Sequence, residues 1–269
     1  MKTSVMKIFV CLLLMAMVLG VSCFAAIQAG KYEVHDKTRE NPTVIEPPKQ
    51  FGQPPSDAIV LFDGEDTSQW VSERKGGGDV PWKIENGYME VTRKGGGIRT
   101  KKRFGNCQLH VEWRVPEGID PKITDQKRSN SGVFLMDKYE VQVLDSYTEN
   151  NYKDNRTYAD GQAAALYGQH PPMVNVCRKP GQWQTYDISF MRPIFDENGK
   201  LVRKARITLL HNGVVVHNNL EIEGTTSHKK KAAYTPHESG YIRLQDHNNP
   251  IRFRNIWIRE LPEQPYLIK

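Results

Sequence analysis

Leu109-His110-Val111-Glu112-Trp113-Arg114-Val115 is apolar at every odd position and ionisable at every even one. A period of two belongs to a β-strand, whose successive side chains leave opposite faces; one face meets a core and the other displays His110, Glu112 and Arg114. Tyr139 to Leu144 repeats the pattern with Glu140 and Gln142 on the polar side, and Tyr241 to His247 aligns Arg243, Gln245 and His247.

Outward from these runs, similar short segments recur from Ala58 onward: Ile59 to Phe62, Trp82 to Glu85, Tyr88 to Thr92, Gly132 to Met136, Gln184 to Met191, Ala205 to His211, Val214 to His217 and Ile251 to Glu260. Asn86-Gly87 and Asn212-Gly213 each separate two such runs by two residues, which suits a type I′ hairpin turn because both central residues take positive φ. Sustained 3.6-residue periodicity is missing; Gln162 to Tyr167 offers at most a turn and a half of helix. The chain is therefore expected to be all-β, two sheets packed as a sandwich or jelly roll in one domain spanning 58–262, with a C-terminal tail at 263–269.

With 38% hydrophobic and 25% charged residues, the 269-residue chain is neither a disordered nor a fibrous sequence. Lys2 and Lys7 precede the apolar run Ile8 to Leu19 and the small-residue stretch ending at Ala26, so 1–26 reads as a secretory leader. The run is too short to span a bilayer, and no second apolar stretch of about 20 residues follows. The expected product is exported, periplasmic or lipid-anchored to the envelope, since Cys23 after Leu19-Gly20-Val21-Ser22 loosely resembles a lipoprotein signal. Residues 27–57, with five prolines, read as a tether or strap. Removing Lys2 and Lys7 leaves 35 basic against 31 acidic residues, a charge of +4, too weak and dispersed for a nucleic-acid footprint. Lys229-Lys230-Lys231, without interleaved aromatics, reads as a solvated loop tip. Cys107 and Cys177 remain beyond the leader, either as one disulfide or as two buried thiols.

Many solvated sheet faces carry Lys, Ser and Thr. These carry His, Glu, Gln and Arg, which bind hydroxyl groups and move protons. Tyr139, Tyr147, Tyr167 and Trp183 could add flat apolar faces on which sugar rings stack.

Leu61-Phe62-Asp63-Gly64 followed by Trp70, Trp82-Lys83-Ile84-Glu85-Asn86-Gly87, and Asn130-Ser131-Gly132-Val133-Phe134-Leu135 resemble, in order, motifs of the bacterial 3-keto-glycoside lyases and hydratases, or 3-keto-disaccharide hydrolases. So do Tyr139 to Ser146, Ala165-Leu166-Tyr167-Gly168, Gly240 to His247 and Phe253-Arg254-Asn255-Ile256. The resemblance implies a concanavalin- and laminin-G-like jelly roll and an activity on oxidised sugars supplied by a sugar 3-dehydrogenase. Three positions depart from it: Met136 stands where an Arg is usual, Gln184 where an Asn is usual, and Lys138 where a Gly is usual. Arg114 or Arg243 is the expected replacement for the Arg, and the insert Glu117 to Arg128 is expected to alter the rim of the cleft.

A ketone at C3 acidifies the C2 proton, so a base can remove it and the C1 oxygen can leave by β-elimination without a redox cofactor; adding water to the 2-hydroxy-glycal completes a net hydrolysis. Such a site needs a base, an acid for the departing oxygen and a donor for the enolate. The expected proton carriers are His247, since imidazole titrates near neutrality, and Glu140. Gln142, Asp145, Arg243, Gln245 and Tyr167 are the expected substrate-binding residues. No metal is required in this reading, although Asp145, Glu140 and His247 could together hold a divalent cation. Two rivals stand beside it: a conventional glycoside hydrolase using Glu140 and Asp145, and a carbohydrate-binding module without catalysis.

Overall fold

The computed structural model describes residues 43–120, 122–148, 157–230 and 232–263. The leader, most of the Pro-rich segment and nearly all of the C-terminal tail lie outside them. The chain divides into units 1–44 and 45–269, and every described strand belongs to the second.

In chain order the strands are β1 (Ile59–Phe62), β2 (Trp70–Ser72), β3 (Lys83–Glu85), β4 (Tyr88–Glu90), β5 (Ile98–Thr100), β6 (Cys107–Arg114), β7 (Ser131–Leu135), β8 (Tyr139–Val143), β9 (Gln184–Met191), β10 (Ile194–Phe195), β11 (Leu201–Arg203), β12 (Arg206–His211), β13 (Val214–Glu221), β14 (Arg243–Leu244) and β15 (Arg252–Glu260). The larger sheet runs β13-β12-β9-β6-β15-β4-β3, with β1 also on β15; the smaller runs β2-β5-β14-β7-β8, and β10 with β11 forms a separate ribbon. Every pairing is antiparallel. This is the all-β sandwich expected from the strand pattern.

The odd residues of β6, Leu109, Val111 and Trp113, are fully buried and meet Tyr186, Ile188 and Phe190 of the neighbouring strand in the core. From the smaller sheet Val133, Leu135, Tyr139, Val141, Val143 and Leu244 enter the same core. Each such side chain contributes about 1.5–3 kcal/mol of transfer free energy. A one-residue slip would turn all of a strand's core residues to solvent, so the alternation fixes register. Tyr186 donates its hydroxyl hydrogen to the Gln142 carbonyl at 2.7 Å, tying the two sheets together behind the strand that carries Glu140.

Both hairpin turns form as the Asn-Gly pairs require, with φ of 49° and 76° at Asn86 and Gly87 and 53° and 80° at Asn212 and Gly213. The segment Gln162 to Tyr167 is not helical. It follows a 3₁₀ turn at Ala159–Gly161 and runs beside β8, where the amide of Gln142 donates to Ala165, that of Ala164 to Gln142, and that of Tyr167 to Glu140. Its small residues serve close backbone pairing rather than helix propensity.

Cys107 and Cys177 are both free thiols, so the disulfide alternative is set aside, and burial pushes each up to about 12. No described helix is long and apolar enough to cross a membrane.

On the outer face of the larger sheet, His110 and Glu112 are covered rather than solvated. Asn255 Nδ2 and Trp257 Nε1 both donate to the Gly52 carbonyl, at 2.7 and 2.9 Å, so the segment before β1 straps this face. His110 is fully buried beneath it, with Nδ1 2.6 Å from Asp187 Oδ1 and its ring stacked on Trp257.

Candidate active site

The outward face of the smaller sheet carries the functional side chains because its inward face is spent on the core. On β8, Tyr139, Val141 and Val143 point inward, which leaves Glu140 and Gln142 on the other side. The β7–β8 register sets Gly132 opposite Gln142 and Phe134 opposite Glu140, and β14 brings Arg243 opposite Phe134. Gln245 follows directly, its amide donating to the Gly132 carbonyl.

A cavity of about 360 Å³ opens over this face. Glu140, Gln142, Tyr167, Gln245 and His247, all expected from the sequence, line it together. So do Asn130, Phe134 and the loop Thr226-Ser227-His228. The loop escaped the sequence reading because it has no strand period to betray its orientation; Asn130 and Phe134 sat inside a quoted motif without being assigned a role.

Glu140 is 5% exposed, and burial pushes its carboxyl up to about 8 against the opposing pull of Arg243. Gln126, from the 3₁₀ turn Asp125–Lys127, accepts at Oε1 from both Asn130 Nδ2 (3.1 Å) and Gln142 Nε2 (2.7 Å). In this orientation the Gln142 oxygen faces two acceptors, Glu140 Oε1 at 3.3 Å and the Ser131 carbonyl at 3.0 Å. Turned over, the Gln142 amide donates to both Glu140 Oε1 and the Ser131 carbonyl and sets its oxygen 2.7 Å from the Gln126 side-chain amide. The insert at 117–128 thus reaches the wall of the cavity through Gln126.

His247 is exposed at the cavity rim. Its neighbour Asp246 does not pair with it: the Asp246 carboxylate accepts instead from the amides of Gly96 and Asn248. Thr226 Oγ1 accepts the Glu140 backbone N–H at 3.0 Å, which leaves its hydroxyl hydrogen free to be donated into the cavity. Gln245 Oε1 is buried and has no hydrogen-bond partner among the described residues.

Two expected contacts fall elsewhere. Asp145 is completely buried, with Oδ2 2.7 Å from Arg128 Nε and Oδ1 accepting from the Tyr147 amide, and it does not line the cavity. Since Arg128 holds Asp145, the set Asp145, Glu140 and His247 is not assembled as a metal site. Among the described residues no cluster of three or more His, Cys, Asp or Glu side chains is placed to hold a metal. Arg243 lies just outside the lining, its guanidinium 3.3 Å above the Phe134 ring and 2.5 Å from Asp137. Met136 is buried at a left-handed turn with φ 55°, so no cation stands at that position. Arg114 cannot replace one, because it sits on the larger sheet between Tyr88 and Trp183. Of the aromatic residues considered as platforms, Tyr139 is core and Trp183 is stacked by Arg114 and Arg254; Tyr167 reaches the cavity, where Phe134 joins it.

Residues 57–259 match the family described as the 3-keto-alpha-glucoside-1,2-lyase-like domain. The chain belongs to this family. A Bacteroides thetaiotaomicron protein named 3-keto-disaccharide hydrolase is 23% identical over 249 residues, covering 76% of this chain and 78% of that one. A crystal structure from Parabacteroides distasonis, of a protein described as a candidate glycosyl hydrolase, is 42% identical and superposes with a TM-score of 0.77 over 85% of this chain and 97% of its own. A second structure from that organism, 18% identical over 77% of this chain and 94% of its own, shares the fold with a TM-score of 0.55.

Proposed function

We propose that this member of the family is a sugar-acting enzyme that cleaves 3-keto-glycosides by C2 proton abstraction and β-elimination and hydrates the resulting glycal. The observation that carries the reading is a single buried carboxyl of raised pKa, Glu140, lining one hollow together with the His247 imidazole.

His247 takes the C2 proton, and the electron pair moves onto the C3 oxygen as the enolate. Thr226 Oγ–H and the side-chain Nε2–H of Gln245 are the donors available to that oxygen. The enolate collapses to a C1=C2 double bond as the C1–O bond breaks. Glu140, protonated at neutral pH because it is buried, gives its proton to the departing oxygen. Hydration reverses the roles: the Glu140 carboxylate takes a proton from water as its oxygen bonds C1, and the His247 imidazolium returns a proton to C2. Tyr167 and Phe134 offer ring faces to the pyranose.

Retaining hydrolysis of a plain glycoside would need two carboxyl groups about 5–5.5 Å apart. Glu140 is the one carboxylate among the described residues lining the cavity, which favours elimination. The chemistry places the enzyme downstream of a sugar 3-dehydrogenase, and the leader-like sequence at 1–26 suits an exported member of such a pair.

The test is turnover in D₂O of a 3-keto-glucoside beside the plain glucoside, followed by NMR. Cleavage of the keto substrate with deuterium appearing at C2 is expected, with the plain glucoside left intact. Cleavage of the plain glucoside, or product without C2 deuterium, overturns the mechanism. Binding of either sugar without conversion would identify a carbohydrate-binding module.

A further inference from the structure

A second hollow of about 410 Å³ adjoins the first and shares with it the wall formed by Tyr167, Ser227 and His228. The Tyr167 hydroxyl lies 2.5 Å from that of Tyr158 and 3.3 Å from His228 Nδ1, so a line of polar groups runs along the boundary. Lys229 and Lys230, which follow His228 directly, also line the second hollow. Their run looked like a solvated loop tip in sequence, but Lys229 takes a left-handed φ of 56° at this tip and both lysines line the hollow. Neither lysine forms an ion pair with a carboxylate among the described residues, and Asp160 is the single acid lining the hollow. Two ammonium groups thus face one carboxylate.

The first cavity is near the lower end of the about 300–1,000 Å³ usual for small-molecule sites, so one pyranose occupies it and the rest of a glycoside must extend beyond. We infer that the second hollow is the leaving-group subsite, and that Lys229 and Lys230 favour glycosides whose leaving group carries a carboxylate or similar anionic substituent. The inference rests on the elimination reading above and adds the substrate class. The anionic substituent takes no part in bond-making: the C1–O bond breaks, Glu140 protonates the departing oxygen, and the acidic group leaves with it unchanged.

Both lysines are exposed, so their attraction for an anion is screened by solvent and salt, and a selectivity of about threefold to tenfold at low ionic strength is the appropriate scale.

The experiment measures kcat/KM for 4-carboxyphenyl and 4-carbamoylphenyl 3-keto-glucosides, in both anomers, with wild type and with K229Q/K230Q. Comparing the two enzymes cancels the intrinsic difference between the leaving groups. The double substitution is expected to lower kcat/KM about threefold to tenfold for the carboxylate substrate and to leave the carboxamide within about twofold. Raising salt should remove the same advantage from the wild-type enzyme, a readout independent of how the variant folds. Turnover of both substrates with equal effects of substitution, or with no salt-sensitive difference, overturns the subsite and leaves the reaction standing. Turnover of neither substrate by the wild-type enzyme overturns the reaction, and the subsite falls with it.

Discussion

A Cβ atom at Gly132 would come within 2.5 Å of Glu140 Oε1 and 2.9 Å of the Phe134 ring. The two residues sit diagonally across the β7–β8 pair, so the missing side chain at 132 is the space that the buried carboxyl occupies. Gly132→Ala should therefore move Glu140 without disturbing the core on the opposite face. The expected loss is about 100-fold in kcat/KM on a 3-keto-glucoside, the scale of a misplacement near 1 Å at a reacting group, with a melting temperature within a few degrees of wild type. A kinetically silent Gly132→Ala would remove Glu140 from the chemistry.

The raised pKa of Glu140 opposes stability and serves activity. With a folded value of about 8 against the ordinary 4.5 of a free glutamate, the folded chain binds a proton that the unfolded chain has released. Stability is then fully present below about pH 4.5 and falls as pH rises through 8, by on the order of 5 kcal/mol. Glu140→Gln should lose about 10²–10⁴ in rate and yet be the more stable protein in urea at pH 9, with little difference at pH 4. In wild type, kcat/KM should decline above pH 8 as the acid form is lost. Equal urea midpoints at pH 9 would contradict the burial argument.

The strand alternation made Glu140, Gln142 and Gln245 legible because each occupies a polar slot opposite a core residue, and the Asn-Gly pairs marked two hairpins for the same local reason. Asp145 has the odd parity of the core residues Tyr139, Val141 and Val143 and is buried as that parity implies; its carboxyl type, not its phase, made it look like a substrate contact. Trp70–Ser72 and Ile98–Thr100 are three residues long, too short to establish a period. The loop at Thr226–His228 enters the site through long-range pairing, Thr226 donating its amide to Lys138 and accepting from Glu140, which no local pattern encodes. His110 looked like a solvated candidate because the alternation cannot say that the Gly52 strap lies over it.

Beneath that strap, burial disfavours the His110 charge, but the hydrogen bond to Asp187 and the Glu112 carboxylate 3.7 Å away outweigh it and raise the imidazole to about 8. Burial likewise raises Glu112, and His110, Asn255 and Arg254 overcome it, bringing the carboxyl down to about 2. The His110 contribution is fully present below about pH 6.5 and lost as pH rises through 8; that of Glu112 is present above about 4.5 and lost as pH falls through 2. The cluster is therefore strongest between about pH 4.5 and 6.5. Wild type should exceed His110→Gln in unfolding free energy by about 2 kcal/mol more at pH 6 than at pH 9. A pH-independent difference would show that packing against Trp257, not charge, is what His110 supplies.

Asp145 separates a structural carboxylate from a substrate contact. Its side chain is wholly buried while Arg128 keeps 17% exposure. Breaking such a pair leaves a mostly buried guanidinium uncompensated, and the cost for Asp145→Ala should fall near or somewhat below the lower end of the 3–5 kcal/mol seen for buried pairs, at about 2–3 kcal/mol. KM for a 3-keto-glucoside should change by less than about threefold, because Asp145 does not reach the cavity. Substituting Arg128→Met beside Asp145→Leu removes both charges together and should recover part of the lost stability, since an apolar pair of similar volume carries no unpaired ion. Thermal unfolding and steady-state kinetics on the same three proteins decide the matter: a raised KM with an unchanged melting temperature would return Asp145 to the site.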